Sequence, residues 1–328
     1  MRYGLFVSAQ HPPDEDLSRA LAEHLEQVRL VRDSGFDSIF AGQHFLSSPY
    51  QMLQPVPLLA RVAAEAGELR IGAGILLLPL LNPVEVAEQA ATLDIVTGGR
   101  FVLGVGLGYR HEENEAFAVP ERRATVFREK LDVVRRLLEG EEVTASGHGY
   151  RLERARLAVQ PLQRPRPPIW MAANGDAGVR RAATLADTWL VNPHATVSEL
   201  ERQLDLFRAE RGSEPDELPA IREACVARSD EEALGVAAPH LAAKYGAYVE
   251  WGQSEVLPPT DTLRREWEEL RAGRFLIGGP ETVAADIREL RDRLGITTLI
   301  FRVQWPGLAH ADAMRTLELL AGEVIPLV

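Results

Sequence analysis

The chain has 328 residues, 46% hydrophobic and 26% charged, and its 36 basic against 48 acidic side chains leave a net charge of −12. Such a chain can bury a sizeable core without disulfides or a structural metal, and its acidity repels a phosphate backbone, so no nucleic-acid partner is expected. The single cysteine, Cys225, forms no internal disulfide, and the longest apolar stretch, 71–81, is interrupted by Pro79. It falls short of the ~20 residues that span a bilayer, so the expectation is a cytoplasmic protein with no membrane span.

In chain order, residues 1–7 turn polar at Ser8 and meet Pro12 and Pro13, which reads as a first strand (Tyr3–Val7) rather than a secretory leader. Further strands are expected at Asp37–Ala41, Arg70–Leu78, Phe101–Gly106, Pro168–Ala172, Thr188–Val191, Ala220–Ala227 and Thr298–Val303. Helical periodicity fills the gaps at Leu17–Ser34, Val56–Ala66, Val84–Val96, Ala124–Glu139, Ala177–Ala186, Val197–Arg211, Glu231–Tyr245, Pro280–Leu294 and Ala311–Val324. Eight alternating units in a chain without a linker predict one α/β domain over residues 1–328, a (β/α)₈ barrel. Gly147-His148-Gly149 marks a surface hairpin within 141–161. An insertion at about 247–275, with a helix over Asp261–Arg271, precedes the eighth unit and reads equally as a lid over the barrel mouth or a dimer contact.

Barrel enzymes carry their chemistry just past the strand C-termini. His44 closes the second strand between Gln43 and Phe45, and is the candidate acid/base, against the plainer reading of a core or surface histidine. Gly72 and Gly74 in the third strand suit either a flat ligand ring or a crowded barrel wall. The run Gly104-Val105-Gly106-Leu107-Gly108-Tyr109 places Tyr109 at the third glycine of a dinucleotide fingerprint and lies at the fourth strand, so a glycine-lined pocket wall fits better than a Rossmann site. Asn174-Gly175-Asp176-Ala177-Gly178 opens a helix bearing Arg180 and Arg181, either as a phosphate seat or as simple capping by Asn174 or Asp176. Gly278-Gly279-Pro280-Glu281 looks like an ordinary helix start. The scattered histidines give no metal site, Cys225 reads as core, and the pairs Glu112/Glu113 and Glu141/Glu142 read as solvated surface charge.

Taken together, these motifs resemble the luciferase-like flavin-dependent oxidoreductase family from Arg2 to Leu327. The carrying segments are residues 35–40 leading to His44, Asn82-Pro83-Val84-Glu85 through Gln89, Gly98-Gly99-Arg100-Phe101, 104–109 with Asn114-Glu115-Ala116-Phe117, 163–170, 180–183, and Arg302-Val303-Gln304-Trp305-Pro306-Gly307. The resemblance implies a (β/α)₈ barrel that binds FMN, or alternatively 8-hydroxy-5-deazaflavin, at the strand ends. It implies a monooxygenase of a small organic substrate, a dimer, supplied with reduced flavin by a separate reductase; a deazaflavin-dependent hydride transferase and a non-catalytic flavin binder are the alternatives. It further implies that His44 assists proton transfer at the reactive edge of the flavin and that Gly74–Ile75 is a cis peptide pressing on the ring. Asn174, Gly175 and Gly178 match the phosphate loop, and Gly106, Gly108 and Tyr109 the wall beside the ring. Leu107 stands where the bacterial luciferase catalytic subunit has an arginine that helps hold the phosphate, an arginine that deazaflavin-dependent members also lack. Tyr109 stands where the sugar-phosphate dehydrogenases among those members have a glutamate proton donor, which disfavours a sugar-phosphate substrate.

Overall fold

The computed structural model describes residues 1–8 and 10–328. Eight parallel strands form a closed ring: β1 (Arg2–Phe6), β2 (Ser38–Ala41), β3 (Arg70–Ala73), β4 (Phe101–Gly106), β5 (Ile169–Ala173), β6 (Thr188–Val191), β7 (Pro219–Val226) and β8 (Thr298–Arg302). Each pairs with the next in sequence, and β8 returns to β1 with Leu5 opposite Phe301. The helices are α1 (Leu17–Asp33), α2 (Pro55–Ala63), α3 (Pro83–Val96), α4 (His111–Ala116), α5 (Arg123–Leu138), α6 (Asp176–Leu185), α7 (Val197–Arg211), α8 (Asp230–Glu250), α9 (Trp267–Arg271), α10 (Pro280–Leu294) and α11 (His310–Leu319). No helix among the described residues is long and apolar enough to cross a membrane.

Local chemistry sets the boundaries. The Asp16 carboxylate accepts from the Ser18 and Arg19 amides to start α1, and Thr196 and Ser229 do the same for α7 and α8. Gly212 and Gly295, both left-handed, end α7 and α10. Inside the ring, Phe6, Phe40, Trp170, Leu190 and Ile300 form a filled core, with Phe40 stacked on Trp170 at 5.1 Å between centroids. Gly72 is glycine because a Cβ there would lie 2.0 Å from the Phe40 ring. A larger apolar layer between strands and helices makes up the rest of the core.

The structure departs from expectation in several places. The expected strand Arg70–Leu78 stops at Ala73 and restarts as Leu76–Leu77, because the Gly74–Ile75 peptide is cis and turns the chain out of the ladder. The expected helix Asp261–Arg271 shrinks to α9, since Asp261 is drawn inward to pair with buried Arg274 and to accept from the Thr196 amide at 2.7 Å. The insertion begins four residues later than expected, as α8 runs on to Glu250. Finally, α11 widens into a π-helical turn from Leu320 to Val324 rather than continuing as an α-helix. The hairpin about residues 147–149 forms as expected, from Val143–Gly147 and Tyr150–Ala155.

Candidate active site

The C-terminal ends of the strands enclose a cavity of about 460 Å³, a size suited to a cofactor or substrate. All of the sequence-predicted site residues line it: His44, Gly74, Ile75, Gly106, Gly108, Tyr109, Asn174, Gly175 and Gly178.

On one side stands His44, at the end of the β2 loop. Its Nδ1 lies 3.0 Å from Glu113 Oε1, and the Phe45 amide donates to the same oxygen at 2.8 Å. A carboxylate can only accept, so Nδ1 carries the hydrogen and the imidazole presents Nε2 as its free nitrogen. Glu113 is therefore no surface charge. It is 1% exposed, because α4 folds back under the β2 loop, where Arg110 donates to the Phe45 and Leu46 carbonyls and sits 3.8 Å from the Glu113 carboxylate. The Trp251 ring lies 4.2 Å from the Arg110 guanidinium and 5.6 Å from the His44 ring, and so caps the pair from the insertion. Gln43 and Gln54 brace the loop, Gln43 accepting from the Leu77 amide and Gln54 donating to the His44 carbonyl, both at 2.9 Å.

The glycines of β3 and β4 have a packing explanation. A Cβ at Gly106 would come 2.0 Å from Ile75 Cδ1, and one at Gly104 would come 1.9 Å from the Ala73 carbonyl oxygen. These positions are empty so that the Gly74–Ile75 bulge can be seated and turn its Ile75 face to the cavity. Beside it, Tyr109 packs edge-on against His44 at 5.7 Å; its buried hydroxyl has no partner among the described residues, and burial holds the phenol well above its usual pKa.

At the other side the cavity meets the N-terminus of α6. No side chain caps it, and the amides of Gly175, Asp176 and Ala177 donate to no acceptor among the described residues. The capping alternative fails for Asp176, whose carboxylate is held by Arg202 at 2.5 Å and by Gln203 at 3.3 Å. Gly178 contributes differently from what was expected. Its amide is used by the Gly175 carbonyl, and a Cβ there would lie 3.0 Å from Ala173 Cβ, so the glycine lets α6 close onto β5. Two arginines also reach the cavity, Arg123 at the start of α5 and Arg181 in α6, and neither has an acidic partner among the described residues. Desolvation, then the charge of Arg128, lowers the Arg181 pKa, so the free guanidinium is under electrostatic load. Arg123 carried no signal in the sequence beyond its charge. The other candidate seat, at Gly279, is closed, because Asp230 Oδ1 already accepts from the Gly279 amide at 2.6 Å.

An uncapped helix start with two unpaired arginines can take a dianion. The apolar bulge can support a flat ring, and His44 can exchange a proton beside it. The residues present thus fit a phosphate-bearing planar cofactor.

Comparison with known proteins agrees in fold and family. Residues 1–298 match the family model described as luciferase-like monooxygenase. The chain is similar to the oxygenase component of the flavin-dependent trigonelline monooxygenase of Acinetobacter baylyi, 26% identical over 99% of this chain and 95% of that one. Among solved structures it resembles the oxygenating constituent of 3,6-diketocamphane monooxygenase of Pseudomonas putida in complex with FMN, with a TM-score of 0.79, 19% identity and coverage of 99% and 98%. It also resembles an F420-dependent secondary alcohol dehydrogenase, with a TM-score of 0.78, 20% identity and coverage of 100% and 98%.

Proposed function

Since this chain belongs to the luciferase-like monooxygenase family, we propose that it is the oxygenase of a two-component system, binding FMN reduced by a separate reductase and using dioxygen on a small organic substrate. The observation that carries this reading is the meeting, in one cavity, of the Gly74–Ile75 bulge, the open start of α6 with Arg123 and Arg181, and His44 on buried Glu113. Bound reduced FMN supplies the electrons and the centre that reacts with dioxygen. The amides of Gly175, Asp176 and Ala177 and the two arginines hold the phosphate, which replaces the charge that Leu107 does not provide. Ile75, Gly106 and Gly108 shape the face that supports the ring. Glu113 fixes the His44 tautomer, so the neutral ring offers Nε2 as a base and the protonated ring offers the same atom as an acid. Tyr248 lines the cavity and is backed by Trp251, stacked on it at 5.5 Å, which helps to keep water from this side.

The whole chain from 1 to 328 acts as one catalytic domain, with the insertion as its lid: Gln253 and Val256 line the cavity, and the Val256 carbonyl lies 3.2 Å from where a Gly175 Cβ would stand. The exposed Ile95 and Val96 at the end of α3 offer a face for a homodimer, and the protein works in the cytoplasm. The test is an absorption and fluorescence titration with FMN and with 8-hydroxy-5-deazaflavin, then oxygen uptake after reduced cofactor is supplied. Tight FMN binding with rapid oxygen uptake is expected. Preference for the deazaflavin with no oxygen uptake would move the chain to hydride transfer, and binding of neither would end the cofactor reading.

A further inference from the structure

The cavity has a second cationic end that the cofactor phosphate does not explain. Arg302, at the end of β8, points into the barrel with its guanidinium 4.2 Å from the Phe6 ring, and Phe6 in turn lies 3.1 Å from where a Gly74 Cβ would stand. Arg302 is thus one aromatic ring away from the bulge. Its position is fixed from behind by the strand register, which sets Glu223 of β7 opposite Arg302. Glu223 is fully buried and accepts from Arg302 Nη1 at 3.1 Å, from Lys244 Nζ at 2.6 Å and from Trp305 Nε1 at 2.6 Å. The carboxylate is shared among three donors, and only Nη1 of the guanidinium reaches it. Arg302 Nε is buried without a partner, and Nη2 donates to no acceptor among the described residues while the side chain lines the cavity.

The charge around this end does not balance. Arg222, 1% exposed, donates only to the Asn192 carbonyl and leaves its Nη2 without a partner, while Arg274 is neutralised by Asp261. Desolvation draws Lys244 down to about 7, while Glu223 holds the Arg302 pKa up despite burial, so Arg302 stays charged beside a carboxylate that it shares with Lys244. Next to them His194 stays neutral, its pKa pushed far down by burial and by Arg302. Buried cations in excess call for an anion, and an enclosed cavity that admits ligands is where that anion can arrive. Ser8, two residues past Phe6 on the same inward-facing side of the chain, also lines the cavity, and its buried hydroxyl has no partner among the described residues.

We propose that Arg302 anchors a carboxylate on the substrate, with the unpartnered Ser8 hydroxyl available in the same cavity, so that this enzyme acts on an organic acid whose remaining body lies along Tyr248 toward His44. The proposal rests on the reading of the other end as the cofactor phosphate seat. Guanidinium and carboxylate match in charge and planarity, and a charge-assisted bond in a site already desolvated discriminates strongly against a neutral group of the same shape. His44, Tyr109 and Tyr248 line the cavity, His44 packing edge-on against Tyr109 at 5.7 Å, with Trp251 packed on both His44 and Tyr248, and these rings suit a flat or apolar body.

The test uses benzoate and its neutral counterpart benzamide, titrated into the FMN-saturated protein and followed by tryptophan fluorescence, which does not depend on the flavin signal. Benzoate is expected to bind at least about tenfold more tightly than benzamide, and Arg302→Met to remove that preference with FMN affinity retained; Arg302→Lys, which keeps a partner for Glu223, should keep part of it. Equal binding of the two probes, or a benzoate preference that survives in a folded Arg302→Met protein, would overturn the proposal, the latter by placing the anion at Arg123 and Arg181. A loss of FMN affinity in Arg302→Met with benzoate binding unchanged would also overturn it, by assigning Arg302 to the cofactor. Failure of the wild-type protein to bind FMN refutes the cofactor reading separately, and the benzoate titration still reads Arg302.

Discussion

Replacing Arg181 by methionine separates a ligand-binding charge from a structural one. In the free protein Arg181 is half-buried, has no carboxylate partner among the described residues, and is repelled by Arg128. Removing its charge while keeping most of its apolar stem should therefore leave the melting temperature of the free protein unchanged or slightly higher. In the proposed complex the same guanidinium would meet a phosphate, and one charge-assisted hydrogen bond is worth about 1.5–3 kcal/mol. At about 1.4 kcal/mol per factor of ten, the FMN dissociation constant should rise roughly 10- to 150-fold. Flavin fluorescence titration measures this, with riboflavin as the control: lacking the phosphate, it should bind wild type and variant alike. FMN should also raise the melting temperature less in the variant, because ligand stabilisation follows the ratio of ligand concentration to dissociation constant. Arg123→Met should act in the same direction. Unchanged FMN affinity, or an equal loss for riboflavin, would refute the placement of the phosphate; a clear drop in the melting temperature of the free protein would show that Arg181 is structural.

Gly175→Asp should weaken FMN binding by adding charge where amides meet a dianion and bulk against the Val256 carbonyl, again read by titration. His44→Ala should keep the fold and FMN affinity while lowering kcat about 10²–10⁴-fold; reduced stability with normal turnover per folded molecule would make His44 a packing residue. Glu113→Gln, which retains an acceptor oxygen for the Phe45 amide, should lower kcat by about tenfold or more with little change in FMN affinity, whereas full activity would show that His44 needs no anchor. The pKa of Asp286 is raised to about 6, by burial first and then by Glu289 and Asp230. A carboxyl whose folded pKa exceeds its unfolded value costs stability as pH rises through that window, so Asp286→Asn should raise the melting temperature at pH 7 and not at pH 4.

The barrel was legible because its signals are local and repeated. Each strand is a short apolar run and most helices are periodic segments, some with caps of their own, as at Asp16, Thr196 and Gly212. What escaped depends on chain segments far apart in sequence. Glu113 sits in the polar run His111-Glu112-Glu113-Asn114, where nothing local separates it from exposed Glu112; its burial comes from the loop at Phe45, 68 residues away. Arg123 looked like one more surface charge, and only the packing of α5 beside the barrel brings it to the cavity. The short α9 shows the same limit, since the pull of Arg274 on Asp261 overrides a helical pattern. One signal was available and unused: the apolar strand Ala220–Ala227 carries Arg222 and Glu223 in its middle. Charged residues in a buried strand must be partnered or functional, and Glu223 turns out to hold cavity-lining Arg302 while Arg222 donates to the Asn192 carbonyl.

That end and the phosphate seat together constrain how the site can work. Arg181 is costly in the free protein, as its downward pKa shift records, and so is stabilised by an incoming anion; Arg302 is instead kept charged by Glu223 despite its burial, with Nη2 left over at the cavity. Between them the cavity wall is neutral or apolar: Ile75, Gly106 and Tyr109 on one side, and neutral His194 with Tyr248 on the other. A cofactor held by its phosphate at α6 and a substrate held by an acidic group at β8 would each be fixed at an outer end. Their uncharged parts would then be brought together over the bulge, beside the one proton-exchanging group whose tautomer the fold sets, His44 on Glu113. Leu107 is consistent with this layout. On the proposed reading the charge for the phosphate would come from α5 and α6, and the β4 loop, which carries Gly106, Gly108 and Tyr109, would be left free to shape the space between the two anions.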